Sequence, residues 1–223
     1  MWLIVAALGT VSVLLLARLY SVLPGNRLSA CSGAESTGPC RTMIVLGSGG
    51  HTAEMLKLLG TISFADYSPR CYVMSSSDVH SPIKAQAVEQ QQQQQQRGSI
   101  ATTSSYSMVQ IPRSRDVGQS FVTSIFTTLY SLFFGVRSVF QFQPDLLLLN
   151  GPGTCVPVCW SVVLMNFCCR WRSRRCRVVF IESVCRVHSL SLSARMLAPF
   201  LDRLFVQWPS VPSKNAEYHG RLV

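Results

Sequence analysis

Apolar residues occupy the first 23 positions of the chain almost without interruption. The first 17 residues carry no charged side chain, and the apolar pattern resumes after Arg18 and continues to Leu23. A helix of this length can cross the roughly 30 Å hydrocarbon core of a bilayer, so residues 1–23 are predicted to be a transmembrane anchor. A cleaved signal peptide is the alternative, but its positive charge normally precedes the apolar core, and here Arg18 and Arg27 follow it. The same arginines favour a cytosolic body with a lumenal N-terminus.

Beyond this segment, the apolar positions come in short runs separated by helical patterns. Residues 24–41 are rich in Pro, Gly, Ser and Thr and are predicted to form a linker. From residue 42 onward, short apolar strands alternate with helices, which is typical of an α/β domain with a doubly wound parallel sheet. The sequence therefore predicts a Rossmann-like domain over residues 42–223. Because ligands of such sheets bind at the carboxyl ends of the strands, the residues after each strand are the candidate site.

Two segments of this domain carry unusual patterns. Seven consecutive glutamines, Gln90 to Gln96, make the region near 86–99 a predicted disordered loop or frayed helix end. A helix is predicted at about residues 117–140, and it could pack in the core, lie in a membrane surface or form a second span. Its large apolar side chains share one side: Phe121, Ile125, Leu129, Leu132, Val136 and Val139.

Composition narrows the class of partner. Hydrophobic residues make up 48% of the chain and charged residues 13%; the net charge is +10, and 17 of the 20 cations are arginine. Arginine binds oxyanions bidentately, so phosphate groups or anionic lipid headgroups are favoured as neighbours, although charge alone does not distinguish lipid, nucleotide and nucleic acid. Nine cysteines without Cys-x-x-Cys spacing predict no metal site. A dense cationic cluster after an apolar helix is predicted to contact the membrane surface: Arg170, Arg172, Arg174, Arg175 and Arg177.

Two glycine-rich turns follow predicted strands and form the candidate binding site. The first turn comprises Gly47, Ser48, Gly49, Gly50, His51 and Thr52. Its glycines admit a ligand close to the backbone, and the N–H groups of the helix that follows attract an anion, so phosphate or diphosphate is the predicted ligand. A plain turn and a dinucleotide site are alternatives, although the full G-x-G-x-x-G pattern is absent. The second turn comprises Asn150, Gly151, Pro152, Gly153 and Thr154.

Four side chains could carry out chemistry at this edge of the sheet. His51 can donate to phosphate or act as a general base, with a helix-capping role as the alternative. Glu182 follows another strand and could hold sugar hydroxyls or take a proton, with an arginine ion pair as the alternative. Arg113 and Arg115 could bind a phosphate before the long helix or could be solvent-exposed.

Five motifs in order resemble a known family. They are VLGSGGHTAEM, RDVGQS, PDLLLLNGPGTCVP, IESVCRVHSLSLS, and LDRLFVQWP with a later YHGRL. Together with the N-terminal span, they are similar to the membrane-anchor subunit of the two-chain UDP-N-acetylglucosamine transferase of asparagine-linked glycosylation. The resemblance covers essentially the whole chain.

This resemblance implies a fold and a role. The fold is half of a GT-B glycosyltransferase, similar to the amino-terminal half of the bacterial enzyme that adds N-acetylglucosamine to lipid I. The role is to bind the acceptor, GlcNAc-diphosphodolichol, and to recruit a soluble catalytic UDP-GlcNAc transferase subunit that brings the donor. The product carries the second N-acetylglucosamine. The expected location is the endoplasmic reticulum membrane or the nuclear envelope, and the resemblance implies no cofactor.

The resemblance also implies roles for individual residues. Gly49, Gly50 and His51 would lie by the acceptor diphosphate, residues 150–154 would frame the cleft, and Glu182 would lie near the sugar. His51 is the expected base, with Glu182 as the alternative. The expected partner contacts are Gln207, Trp208, Tyr218 and Gly220. Two other hypotheses stay open at this point: a membrane-tethered scaffold with no role in the chemistry, and a self-sufficient membrane enzyme with a nucleotide cofactor.

Overall fold

The computed structural model describes residues 2–24, 38–96, 105–115, 118–151, 153–168, 175–211 and 216–223. The strands are β1 (Thr42–Val45), β2 (Arg70–Ser75), β3 (Tyr106–Ile111), β4 (Leu146–Leu149), β5 (Arg177–Ile181), β6 (Arg203–Val206) and β7 (Ala216–Tyr218). The helices are α1 (Trp2–Val22), α2 (Gly50–Leu59), α3 (His80–Gln96), α4 (Phe121–Phe142), α5 (Cys155–Cys168) and α6 (Leu192–Leu197), with a short 3-10 helix at Ala198–Phe200.

The strands form one parallel sheet in the order β3-β2-β1-β4-β5-β6-β7. The chain therefore builds the sheet outward from β1 in one direction and then from β4 in the other. The loops after β1 and β4 diverge at this reversal, and such a switch point is where doubly wound sheets bind ligands. The predicted parallel α/β class is confirmed, and both predicted glycine turns lie at the switch point.

Alternating side chains of the central strands build a core on each face of the sheet. Met43 and Val45 contribute to the cluster beneath α4, α5 and α6, whereas Ile44 and Leu46 contribute to the cluster beneath α2 and α3. Every residue of β1 and of β2 is buried. Burial on both faces explains why these strands appear in the sequence as continuous apolar runs.

The glutamine run is helical as far as the structure describes it. α3 extends through Gln96, so the disordered-loop alternative is wrong for residues 86–96 and the helix-end alternative agrees with the structure; residues 97–99 lie outside the described part. Two effects stabilise the helix: Glu89 is fully buried and paired with Arg70 of β2, and glutamine has a good intrinsic helix propensity. The first turns of α3 are therefore fixed to the sheet, and the glutamine run continues that helix.

Several large apolar side chains of α4 point away from the core, whereas Val139 is buried in it and Phe134 and Val136 pack against it. Small residues face α5 instead, among them Ser124, Ser131 and Ser138, which are at most 8% exposed. A Cβ atom on Gly135 would lie 2.5 Å from Ser161 Oγ of α5, so the two helices are in close contact there. The apolar side is 57 to 71% exposed: Val122, Ile125, Phe126, Leu129, Tyr130, Phe133 and Phe140. The core-packing alternative is thus confirmed for Val136 and Val139, whereas Ile125 and Leu129 of the predicted side lie outside the core.

Two helices are relevant to a membrane. By length and composition, Val122–Phe142 in α4 is a candidate span, and the described part of α1 contains a shorter apolar stretch, Ser12–Ser21. α1 is joined to the domain through Arg18, whose guanidinium donates to the carbonyls of Asn166 (2.9 Å) and Phe167 (3.0 Å) in the last turn of α5. A cation at a helix C-terminus is stabilising. The crossing of a bilayer by α1 stays a prediction.

Cysteines of the described segments are free thiols, and several belong to the core. Burial raises the pKa of the Cys159 thiol to about 12, and it raises the pKa of the Cys155 and Cys176 thiols as well. At neutral pH these side chains are uncharged packing groups.

Candidate functional site

The first glycine turn presents backbone to open space. Gly49 adopts φ +66°, a conformation that favours glycine, and it precedes α2 without a side-chain cap on the helix N-terminus. No heavy atom lies within 4 Å of a Cβ atom placed on Gly49 or Gly50. Ser48 is exposed beside them. The turn therefore offers uncapped helix N–H groups to a ligand, as the sequence predicted for an anion site.

A buried hydroxyl network holds this turn from behind. Ser81 at the start of α3 lies 2.5 Å from the Thr52 hydroxyl and donates to the Gly47 carbonyl at 3.3 Å or to the Asp78 carboxylate at 2.5 Å. Thr52 is 1% exposed. The prediction that Thr52 binds substrate stays untested, but its hydroxyl is engaged in the fold, so the exposed part of the turn is formed by residues 48–50.

His51 is held by a residue from the second turn. Its Nδ1 lies 2.8 Å from Oδ1 of Asn150, which follows β4 and is 1% exposed. The Asn150 amide nitrogen donates to Glu54 Oε2 at 3.1 Å, and the Ser183 hydroxyl donates to Glu54 Oε1 at 2.8 Å. The structure thus brings together His51 and Asn150 as predicted, and adds Glu54 and Ser183, which were not predicted.

Gly151 closes against the His51 ring. It adopts φ +71°, and a Cβ atom there would lie 2.3 Å from His51 Cε1 and 2.5 Å from Nδ1. Only glycine allows this approach without displacing the imidazole. The second turn therefore positions His51 by a hydrogen bond from one residue and by close packing from the next. Pro152 of this turn lies outside the described residues.

Glu182 is 1% exposed at the end of β5 and organises a loop. Its two carboxylate oxygens accept the backbone N–H groups of Ser183 (3.1 Å) and Ser191 (2.7 Å), and its carbonyl accepts from Gln207 (3.2 Å). These bonds fix residues 183–191 rather than pair Glu182 with an arginine in the described segments. Its predicted role near the sugar stays a prediction, and both of its carboxylate oxygens already accept hydrogen bonds from the backbone.

A cationic cleft of about 370 Å³ lies beside the glycine turns. Its lining includes the cations Lys84, Arg113 and Arg115 together with Gly49 and residues 153–154. The Arg115 guanidinium donates to the Gln119 carbonyl at 3.0 Å, so its loop carries a fixed charge. His51 is not part of the lining, but its neighbours Ser48 and Gly49 are.

The lining of the cleft includes two residues that sequence reasoning missed, Lys84 and His80. Both belong to α3, which begins shortly after the carboxyl end of β2, and that position was the available signal. Among the described residues, no group of three or more His, Cys, Asp or Glu side chains could hold a metal ion. Three cations and one carboxylate, Asp78, line the cleft, so its net positive charge favours an anionic ligand.

The predicted partner-contact residues cluster at the β6–β7 edge. Gln207 is buried and its side-chain oxygen accepts the N–H groups of Leu222 (2.9 Å) and Val223 (3.4 Å). Trp208 donates to the Val184 carbonyl at 2.7 Å. Tyr218 is 47% exposed on the edge strand, and Gly220 follows it at φ +88°. Tyr218 offers an outward surface, whereas Gln207 anchors the last residues of the chain.

The arginine cluster lies partly outside the described residues, at positions 170, 172 and 174. Of the two described members, Arg175 pairs with Asp202, and Arg177 is exposed at the start of β5. Arg175 is therefore engaged within the domain. The membrane contact of the cluster stays a prediction.

Sequence comparisons identify the family to which this geometry belongs. The family model described as "Oligosaccharide biosynthesis protein Alg14 like" matches residues 42–222. The chain belongs to the Alg14 family. It is 42% identical to the UDP-N-acetylglucosamine transferase subunit ALG14 of Rattus norvegicus over 98% of this chain and 96% of that one. The protein of the same name from Yarrowia lipolytica is 40% identical over 99% and 98%, respectively, and that from Homo sapiens is 39% identical over 98% and 96%.

Among solved structures, this Alg14-family chain resembles Acinetobacter baumannii MurG. The TM-score is 0.54 at 14% sequence identity, over 81% of this chain and 45% of MurG. A likeness at this identity concerns the fold alone, which is that of GT-B glycosyltransferase structures. The predicted family and fold class are both confirmed, and the chain spans less than half the length of the MurG chain.

Proposed function

We propose that this chain is the membrane-anchoring, acceptor-binding subunit of a UDP-GlcNAc transferase complex that adds the second N-acetylglucosamine to GlcNAc-diphosphodolichol. The observation that carries the proposal is the pairing of an oriented His51 with a cationic cleft at the switch point of the sheet. The names of its relatives describe a transferase subunit, which agrees with a site that needs a second chain. The proposed location is the endoplasmic reticulum membrane or the nuclear envelope.

The cleft and the histidine match the two parts of the acceptor. Lys84, Arg113 and Arg115 provide positive charge for the diphosphate. His51 takes the proton of the sugar 4-hydroxyl as its oxygen bonds to the anomeric carbon of UDP-GlcNAc. The bond from that carbon to UDP breaks with inversion, and UDP leaves with the electron pair. Groups on the soluble partner stabilise the charge that develops on UDP.

The close contact of Gly151 with His51 gives a test of this arrangement. Gly151→Ala is expected to lower transfer by the complex roughly 10-fold or more, because the new Cβ displaces the imidazole from its productive position. Transfer to an acceptor lipid in membranes measures the effect. Gly118→Ala is the matched control: it imposes similar backbone strain at φ +80° in open space. Equal loss in both variants would mean that strain, rather than the position of His51, lowers the rate.

The exposed apolar side of α4 is proposed to lie in the membrane surface. A contiguous apolar surface of this size on one helix indicates an interaction site, and Arg18 joins α1 to α5, on which α4 packs. A lipid surface fits both helices at once, since α1 is the predicted anchor. This arrangement also confines the acceptor site to the surface where a polyprenyl substrate resides, which raises its effective concentration.

Lipid contact by α4 can be measured with position-specific fluorescence. Phe126→Trp in the full chain is expected to show additional quenching by brominated phospholipids in vesicles, relative to the wild-type signal, because residue 126 is 71% exposed on the apolar side. Lys57→Trp, at an exposed position of α2 on the other face of the sheet, serves as the control. Equal quenching at positions 57 and 126 would contradict the proposed orientation.

Isolation of the chain from membranes tests the proposed function. When this chain is isolated from membranes in mild detergent, a soluble glycosyltransferase chain is expected to co-purify with it in an equal or fixed molar ratio. Tyr218→Ala, at the exposed β7 edge, is expected to recover less of it, whereas Lys57→Ala is expected to recover the normal amount. Recovery of a secreted, disulfide-linked monomer without a partner would overturn the proposal.

A further inference from the structure

We propose that Glu54 is a positioning residue that fixes the tautomer of His51 through the side chain of Asn150. This inference rests on the proposed function for its kinetic consequence but not for its structural content. It assigns a role to a carboxylate that is close to the candidate base without touching it. Glu54 lies on the same helix as His51, three residues later, so both side chains share a face of α2.

The relay joins the carboxyl ends of neighbouring strands. Asn150 follows β4 and lies between the two α2 side chains, at 2.8 Å from His51 Nδ1 and 3.1 Å from Glu54 Oε2. Ser183 follows β5 and donates to the other carboxylate oxygen at 2.8 Å. Asn150 is 1% exposed, which shields the central link of the relay from water. Each member is therefore held by its neighbour.

The direction of each hydrogen bond follows from the chemistry of Glu54. An ionised carboxylate can only accept, so the amide nitrogen of Asn150 must face it. The amide oxygen then faces His51, and an oxygen can only accept, so Nδ1 must carry the proton. The other ring nitrogen, Nε2, is left with its lone pair when the imidazole is neutral. A base requires this lone pair, and Glu54 keeps it available by fixing the orientation of the Asn150 amide.

Removal of the carboxylate releases this constraint. In Glu54→Ala, Asn150 can turn its amide group by half a rotation and present its nitrogen to His51. The imidazole then accepts at Nδ1 and carries its proton on Nε2, which cannot take a proton from a hydroxyl. The turnover number of the complex is expected to fall about 10- to 100-fold, the lower part of the range for general-base catalysis, with the KM for the acceptor changed no more than about twofold.

A double substitution distinguishes the relay from a simple packing role. Asn150→Asp alone places a second carboxylate against Glu54 and is expected to impair transfer by charge repulsion. Glu54→Gln alone removes the obligatory acceptor and leaves the amide of Asn150 free to turn. Combined, the two changes restore complementarity: the new amide at position 54 donates to the new carboxylate at position 150, which accepts from His51 Nδ1. The double variant is expected to be at least several-fold more active than either single variant.

The decisive experiment combines kinetics with the tautomer of His51. The chain has four histidines, so ¹⁵N-histidine labelling of this chain alone, assembled with unlabelled partner in detergent at mildly alkaline pH, gives few signals, and His51→Gln assigns the one of interest. The wild-type ring is expected to carry its proton on Nδ1, and Glu54→Ala is expected to shift it toward Nε2. The Lys57→Ala control, at an exposed position of the same helix, is expected to leave tautomer and transfer unchanged.

The inference is overturned by an Nε2-protonated ring in the wild-type complex, or by an unchanged tautomer together with unchanged turnover in Glu54→Ala. A double variant no more active than its two parents would also contradict it. If the wild-type complex transfers no sugar at all, the proposed function fails, while the tautomer measurement still tests the relay by itself.

Discussion

His51→Ala is expected to lower sugar transfer by the two-chain complex by about 100-fold or more, the range typical for loss of a general base. The reason is geometric: His51 is fixed by Asn150 and Gly151 at the switch point, beside the uncapped start of α2. Its removal leaves the cationic cleft and the partner edge intact. In His51→Ala membranes, sugar transfer is therefore expected to be lost while recovery of the partner chain from the same preparation stays normal.

His188→Ala is the control for this experiment, because His188 is exposed in the loop that Glu182 organises. It is expected to leave transfer unchanged. The competing hypothesis, a membrane-tethered scaffold without a role in the chemistry, predicts normal transfer in both variants. Normal transfer by His51→Ala would therefore favour the scaffold and remove the acid–base role of this chain.

Glu89→Ala is expected to lower the free energy of unfolding by about 3–5 kcal/mol, because it removes the counter-charge of the buried Arg70. The Arg70 and Glu89 side chains are both fully buried and joined by two bonds of 2.7 and 2.8 Å, and Tyr72 donates to the same carboxylate at 2.7 Å. Burial, and then the charge of Glu89, raise the pKa of Tyr72, which keeps it a donor. Denaturant unfolding of the detergent-solubilised chain measures the loss of stability. Limited proteolysis of the same chain shows whether α3 detaches.

A second ion pair in the same chain provides the control. Arg203 and Glu217 pair at the exposed β6–β7 edge, with side chains that are 52% and 33% accessible. Glu217→Ala is therefore expected to cost about 1 kcal/mol or less. Replacing Arg70 and Glu89 together with apolar residues is expected to recover most of the stability lost in Glu89→Ala, because no charge is left buried. Similar losses at Glu89 and Glu217 would contradict the assigned difference in burial.

The order of strands and helices could be predicted from the sequence, but the direction in which α4 faces could not. The pattern of α4 contains a large apolar side and a small polar side, and hydrophobicity alone assigns the apolar side to the core. The structure departs from this assignment in part: Val139 lies in the core, whereas Ile125 and Leu129 are exposed, and Gly135 brings α4 into close contact with α5. The disordered loop expected for the glutamine run is wrong for a related reason. Glu89 of α3 is anchored by Arg70 of β2, a contact between residues that are distant in sequence.

The candidate site was predictable where it depends on backbone and not where it depends on contacts between elements. The glycine turns could be placed because they follow apolar strands. Glu54 had an available signal, its helical spacing from His51, but its partners Asn150 and Ser183 come from other strands. The backbone N–H groups that donate to the Glu182 carboxylate belong to Ser183 and Ser191, in a loop whose path the sequence does not reveal.

The central claim is that this chain provides only part of a sugar-transfer cleft. The most direct measurement places the purified full chain in vesicles containing GlcNAc-diphosphodolichol, adds labelled UDP-GlcNAc, and compares label transfer with and without the soluble partner recovered from membranes. The account predicts lipid-linked product only when both chains are present. Sustained transfer by the purified chain alone would contradict it.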